Sequence, residues 1–142
     1  MSVSPRDFLG EARYTAQRVD SEDARRSAIS RAFYGAFHGA RIFHATLSFP
    51  GRSKARVGEH ENLIHQLRNP DDRLEDALRK QSIIIGGLLL RLRPLRIMAD
   101  YDIKLDVSAG ELNDALAFSA QLLNLTDPKT SSHPPSNGVS AS

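Results

Sequence analysis

The alanine-rich stretch from about Glu22 to Leu47 places Ile29, Phe33, Ala36, Ala40 and Phe43 at alternating steps of four and three residues. That spacing lays the five side chains along one face of an α-helix, so the chain is committed to a fold built around a long helix. The flanking segments read the same way. Ser4 is a good N-cap and Pro5 suits the first helical position of a helix ending near Val19, with Phe8, Ala12 and Ala16 as its apolar stripe. A break at Asp20 and Ser21 separates it from the long helix.

Phe49, Pro50, Gly51 and Arg52 read as a loop, followed by the basic cluster Arg52, Lys54 and Arg56 and a short helix from about Val57 to Leu67. Past Asn69 and Pro70, the acidic pair Asp71 and Asp72 suits a helix start, and Leu74, Leu78 and Ile83 carry an apolar pattern towards Leu92. Ile83 to Leu90 has the composition of a buried strand, but nothing else in the chain offers a sheet partner. The run therefore reads as buried helix, closely packed at Gly86 and Gly87 and ended or kinked by Pro94. Met98 to Val107 reads as irregular. Ser108, with Glu111 three residues on, has capping-box spacing for a last helix through Leu112, Leu116 and Leu123.

The fold class that follows is all-α, a single bundle of four to five helices over residues 4–125. Residues 126–142, rich in Pro and Ser, are too polar to order themselves and read as a disordered tail, in which His133 has no role. At 142 residues there is room for one ordinary domain, and a 40% share of hydrophobic residues is enough to give it a core. Neither the N-terminal MSVSPRDFLGEARY nor the run Ile83 to Leu90 is long and apolar enough for a signal peptide core or a membrane span, so a cytoplasmic protein with no membrane association is expected.

Several chemistries are excluded by spacing or composition. The chain has no cysteine, which removes disulfides, thiolate-bound zinc and thiol catalysis. His60 and His65 suggest a zinc-protease helix, but they are five residues apart rather than four, which turns them about 140° from each other. Gly86 and Gly87 are followed by leucines and not by a Lys-Ser or Lys-Thr pair, so there is no phosphate-binding P-loop. No metal and no cofactor is expected. The 19 basic residues comprise 15 Arg and only 4 Lys, against a formal charge of just +2. That preference suits forked contacts to phosphate or carboxylate, and it equally fits the codon usage of a GC-rich genome.

On the long helix Ser27, Arg31, Tyr34, His38 and Arg41 follow one another at steps of four, three, four and three, a second stripe opposite Phe33 and Ala40. It is the solvated side of an amphipathic helix or, because Ala28, Gly35, Ile42 and Ala45 lie between the polar residues, a contact surface.

The run SAISRAFYGAFHGARIFHA, Ser27 to Ala45, resembles the central helix of HEPN domains (higher eukaryotes and prokaryotes nucleotide-binding), whose bacterial members often carry a Ser-Arg-Ala-Tyr-Tyr-Ala-Ala-Phe-His-type run. Arg96 to Asp102, RIMADYD, is similar to the Arg-x-x-Ala-Asp-Tyr-Asp element of the same subgroup, and His60 falls where these proteins often carry a His between the two. The resemblance spans about Phe8 to Leu125. It implies a helical bundle, often a homodimer with the central helices lining a shared cleft. Many such proteins are metal-independent endoribonucleases of toxin–antitoxin or phage-defence systems, and others bind nucleotides or act as noncatalytic partners of nucleotidyltransferases.

The ribonuclease members use an Arg and a His separated by four to six residues, which here implies Arg31 and His38, with six residues between them, as catalytic residues. His38 would exchange a proton with a ribose 2′-hydroxyl or the leaving oxygen, and Arg31 would stabilise charge on the phosphate. Tyr34, Arg41, Asp100 and Tyr101 are the accompanying substrate-binding candidates. Ala32 stands where active members commonly carry a polar residue, which favours a noncatalytic module docking a second copy or a small nucleotidyltransferase antitoxin. A structural role for the same residues is also open: Arg31 paired with Asp100, Tyr34 in a buried polar network, His38 satisfied between helices, and Asp100 pinned by Arg96 or Arg31.

Overall fold

A computed structural model describes residues 3–52 and 58–126. Five helices account for the fold: α1 (Pro5–Arg18), α2 (Glu22–Thr46), α3 (Glu59–Arg68), α4 (Asp76–Tyr101) and α5 (Ala109–Thr126). There is no strand among the described residues, so the molecule is all-α. The expected tail, apart from Thr126, which ends α5, lies outside the described residues, as do Lys54, Arg56 and Val57.

Local chemistry sets the helix starts. The Ser4 hydroxyl accepts from the Asp7 backbone N–H while the Asp7 carboxylate accepts from the Ser4 N–H, closing a capping box ahead of Pro5. Ser21 caps α2 through the Ala24 N–H at 3.1 Å. Ser108 and Glu111 exchange bonds in the same way at the head of α5, as their spacing requires.

α2 is the centre of the bundle, packed by α1, α4 and α5, while α3 lies chiefly on α4. Its expected stripe of Ile29, Phe33, Ala36, Ala40 and Phe43 is buried. Leu9 and Ala12 of α1, Ile85, Leu89 and Leu92 of α4, and Leu122 and Leu123 of α5 complete one continuous core. Fully burying each of the larger aliphatic and aromatic side chains stabilises the fold by about 1.5–3 kcal/mol. Two buried hydroxyls tie helices together through backbone carbonyls: Ser82 donates to that of Leu67, in the last turn of α3, at 2.7 Å and Ser119 to that of Ala32 at 2.9 Å.

The helix boundaries depart from the sequence reading in three places. Asp71 and Asp72 do not begin α4. Asp71 instead accepts from the Arg73 backbone N–H and side chain, the local side-chain-to-backbone bonding that favours a turn over a helix, and α4 starts at Asp76. Pro94 does not end α4 either. Leu88, Leu92, Leu95 and Ala99 continue the buried stripe across it at steps of four, three and four, and that burial offsets the roughly 3 kcal/mol cost of an internal proline whose side chain lies on the solvent side. Met98 to Tyr101 is accordingly helical, and only Asp102 to Ser108 is irregular.

Gly35 and Gly86 are among the glycines that admit close approaches. A Cβ at Gly35 would sit 2.7 Å from the Pro5 carbonyl oxygen and 3.1 Å from Phe8 Cβ, so only glycine lets α1 cross α2 there. At Gly86 a Cβ would meet Arg68 Cγ at 2.7 Å, whereas at Gly87 it would meet nothing within 4 Å, so of that pair only Gly86 is a packing residue. The small residues read as a docking face on α2 are thus partly consumed within the chain: Ala28 and Gly35 are buried, while Ile42 and Ala45 remain exposed.

Candidate functional site

The polar stripe of α2 runs along an accessible edge of the bundle. Ser27, Arg31 and Arg41 are exposed, and Tyr34 and His38 are half-buried. Its first half opens on a cleft of about 440 Å³ between α1, α2 and the end of α4, lined by Phe8, Ser27, Ser30, Arg31, Tyr34 and Asp100. Its second half reaches another, of about 210 Å³, between α2 and α3, lined by Arg41. His38 lies between the two.

Arg31 does not pair with Asp100. Its Nη1 lies 3.2 Å from Glu11 Oε2 on α1, and Asp100 belongs to Arg96, whose Nε is 2.9 Å from Asp100 Oδ2. The Arg96 contact is an ion pair and not an aligned hydrogen bond, because the Nε–H finds no acceptor in its direction. Asp100 also accepts from the Ser30 hydroxyl at 3.4 Å. The Arg31–Glu11 pair is exposed at both ends, 44% and 56%, and a surface pair of that kind contributes about 0–1 kcal/mol. A phosphate can therefore draw Arg31 away at little cost.

Arg96 is the hub of the Ala-Asp-Tyr element. Its guanidinium sits over the rings of Phe33, Tyr34 and Tyr101 at 5.7, 5.9 and 5.1 Å and donates to the hydroxyls of Tyr34 and Tyr101 at 3.4 and 3.3 Å. Tyr34 is in this sense part of a polar network. Tyr101 itself remains 66% exposed, with its ring available to a partner or ligand.

His38 stacks on Phe8 of α1, ring centroids 5.5 Å apart and planes 27° from parallel. Its Nδ1 is 2.8 Å from Arg41 Nη2, and Arg41 also pairs with Glu59 of α3 at 3.3 Å. A guanidinium only donates, so Nδ1 must be the accepting nitrogen and the imidazole is neutral with its proton on Nε2. The same arrangement lowers the His38 pKa: burial disfavours the cation first, the Arg41 charge adds to it, and Glu59 opposes.

His60 is not a bare surface residue. It meets Phe37 and Phe33 edge-on at 4.5 and 5.1 Å, and burial, then the nearby Arg96 charge, lowers its pKa. His38 also approaches Phe37, at 5.6 Å, so two neutral imidazoles flank one ring. Among the described residues, no group of three or more His, Asp or Glu side chains is placed to hold a metal ion.

Ala32, which departs from the HEPN pattern, is fully buried, and its carbonyl accepts the Ser119 bond to α5. Packing fixes the residue type at that position. Arg26 was not singled out by spacing, yet it does most to hold the site's rim. It donates to the carbonyls of Met98 and Ala99 at 2.9 and 3.0 Å, to Asp102 at 3.0 Å and to Leu105, with Glu22 beside it at 2.9 Å. Glu22 accepts from the Val107 N–H at 3.1 Å, and Arg25 donates to the Val107 carbonyl at 2.7 Å. The available signal was Glu22 four residues before Arg26, a helix ion-pair spacing that also draws the side chain towards one face.

No family model, no curated protein and no solved structure matches this chain. Among the described residues, no helix is long and apolar enough to cross a membrane.

Proposed function

We propose that this chain is an HEPN-type module that cleaves RNA without a metal ion, in the cytoplasm and as a homodimer, in the manner of a toxin of a toxin–antitoxin or phage-defence system. The observation that carries the reading is the state of His38: neutral, half-buried, and bonded through Nδ1 to a cation that a phosphate would attract. Arg31 and Arg41, both exposed and in weak surface pairs, are the phosphate-binding groups.

Binding of the RNA backbone draws Arg41 off His38 and frees Nδ1. The freed nitrogen takes the proton of a ribose 2′-hydroxyl as the 2′-oxygen attacks the adjacent phosphorus. The bond to the 5′-oxygen breaks, leaving a 2′,3′-cyclic phosphate and a 5′-hydroxyl that takes the proton His38 has just accepted from the 2′-hydroxyl. Arg31 stabilises the charge that builds on the phosphate oxygens, while Tyr34 and Asp100 line the cleft beside it and the exposed Tyr101 is left as a further contact for RNA.

The test is cleavage of total RNA by the purified chain in excess chelator, beside folded His38→Ala and Arg31→Ala variants. The reading requires cleavage by the parent and its loss in both.

A second reading is favoured by one observation: at rest Arg31 is held by Glu11 and the only basic nitrogen of His38 is occupied. On that reading the same face is a noncatalytic surface for a second copy or a small nucleotidyltransferase. A folded wild-type chain that leaves RNA intact in the same assay would select it.

A further inference from the structure

Phe8 and Glu11 of α1 meet His38 and Arg31 of α2, the first by ring stacking at 5.5 Å and the second by an ion pair at 3.2 Å. A step forward along α1 is therefore a step back along α2, and the two helices run antiparallel as walls of the larger cleft. Glu11, Tyr14 and Arg18 follow one another at steps of three and four, which makes them neighbours on one face of α1 with Cβ atoms about 5–6 Å apart. Tyr14 is thus the next side chain along the α1 wall past the Glu11–Arg31 pair, on the side away from His38.

Tyr14 is 59% exposed and has no place in the core. Arg18 folds back over it: the guanidinium carbon lies 5.0 Å from the ring centroid, and Nη1 donates to the Tyr14 hydroxyl at 2.5 Å. The two contacts hold the ring in one place while leaving it open to solvent. Acids along this edge are engaged elsewhere, Glu11 with Arg31, Asp20 with Arg25 at 2.8 Å and Glu22 with Arg26 at 2.9 Å. Among the described residues no acid pairs with Arg18, whose contacts are to Tyr14. An open aromatic face beside a cation without a counter-ion suits a ligand that carries a planar ring next to a phosphate. An unpaired nucleotide of a single strand offers both. The bases of a duplex do not, because they are stacked on one another and leave only backbone and groove edges to a protein.

We infer that Tyr14 and Arg18 form a base-stacking subsite for single-stranded RNA: an unpaired base lies on the Tyr14 ring, Arg18 contacts its phosphate, and the strand runs on past Arg31 towards His38. This rests on the reading of the α2 edge as an RNA-binding surface, and it adds a demand for an unpaired strand that Arg31 and His38 do not impose.

The experiment is fluorescence anisotropy of the full chain with a labelled RNA strand carrying 2′-O-methyl riboses, so that cleavage does not enter, and with the same strand annealed to its complement. Tyr14→Ala should weaken binding of the single strand about tenfold, the scale of one lost base stack, and Tyr14→Phe, which keeps the ring, should stay within about twofold of the parent. Duplex binding should be the same in the parent and in Tyr14→Ala. Lys80→Ala, exposed on α4, should change neither. An unaltered affinity in Tyr14→Ala would overturn the subsite, as would a loss as large in Tyr14→Phe or an equal loss for the duplex. If Arg31→Ala weakens binding and Tyr14→Ala does not, the subsite falls and the RNA-binding surface stands. If Tyr14→Ala weakens binding while total RNA stays intact in chelator, the subsite stands and the nuclease reading falls. A parent chain that binds neither RNA removes both.

Discussion

Nη2 of Arg41 stands 2.8 Å from Nδ1 of His38, one turn away on α2, and this contact decides what His38 can do. While it lasts, the imidazole is neutral and its basic nitrogen is in use. Any ligand that competes for Arg41 changes both properties together. A phosphate is such a ligand, so substrate binding and activation of the base become a single event.

The first prediction concerns that contact directly. Arg41→Ala removes the second of the two causes that depress the His38 pKa, so the value should rise towards the ordinary 6.5 while burial keeps it below. Titration of the His38 ring protons by NMR checks this. A value unchanged or lower in the variant would show that the Arg41 charge is not felt at the ring.

Stability should fall towards mild acid. His38, His44 and His60 all have pKa values lowered in the folded chain, chiefly by burial, relative to 6.5. The unfolded chain therefore takes up more protons than the folded one as the pH drops through that value. The folded state is fully favoured above it and loses ground below it. Asp71, held at about 2 by its bonds to Arg73, and Glu22 and Asp76, also lowered, act only at pH values more acid than this window. The melting temperature should drop between about pH 7.5 and 5, and the drop should shrink when the three histidines are replaced by glutamine. A flat or rising profile would contradict the depressed values.

Arg26→Ala should destabilise the fold by about 2–3 kcal/mol, the scale of lost charge-assisted hydrogen bonds at a side chain only 14% exposed. Arg26→Lys should recover less than half, because an ammonium cannot reach carbonyls on both the last turn of α4 and the loop after it. Denaturant midpoints give the energies, and amide exchange over residues 102–107 shows whether the loop is what is released. A loss under about 0.5 kcal/mol would place the α4–α5 loop outside Arg26's control.

Much of this architecture was legible in the sequence, and the failures have specific causes. Ser4 with Pro5, Ser108 with Glu111 and the Phe33 stripe were readable because capping and burial periodicity are local signals. The helical state of Met98 to Tyr101 beyond Pro94 was not, since a local helix breaker was overruled by burial of Leu92 and Ala99 against other helices. The stripe from Arg31 to Arg41 was found, but which acid each arginine would meet was not. Glu11 and Glu59 come from two other helices, and only the packing of those helices assigns Glu11 to Arg31 and Glu59 to Arg41, whereas Arg96 and Asp100, four residues apart on α4, form one of the two pairings the sequence offered for Asp100.

Two glycine substitutions separate packing from propensity. Gly35→Ala gains about 1 kcal/mol of helix propensity, but its methyl would press on the Pro5 carbonyl, and overpacking of that kind costs about 1–3 kcal/mol. A net loss of stability is expected, with α1 displaced. Gly87→Ala meets nothing and should stabilise by about 0.5–1 kcal/mol. Thermal melts of the two variants should therefore move in opposite directions, and movement in the same direction would refute the α1–α2 contact.

The central claim is that the α2 edge cleaves RNA by activating a ribose 2′-hydroxyl, and the chemistry of the product ends tests it most directly. A defined RNA oligonucleotide incubated with the purified chain in excess chelator should yield a 2′,3′-cyclic phosphate and a 5′-hydroxyl, and a 2′-deoxy substitution at the cut site should abolish cleavage there. Products with 5′-phosphate ends, cleavage that survives the 2′-deoxy substitution, or intact RNA would contradict the account.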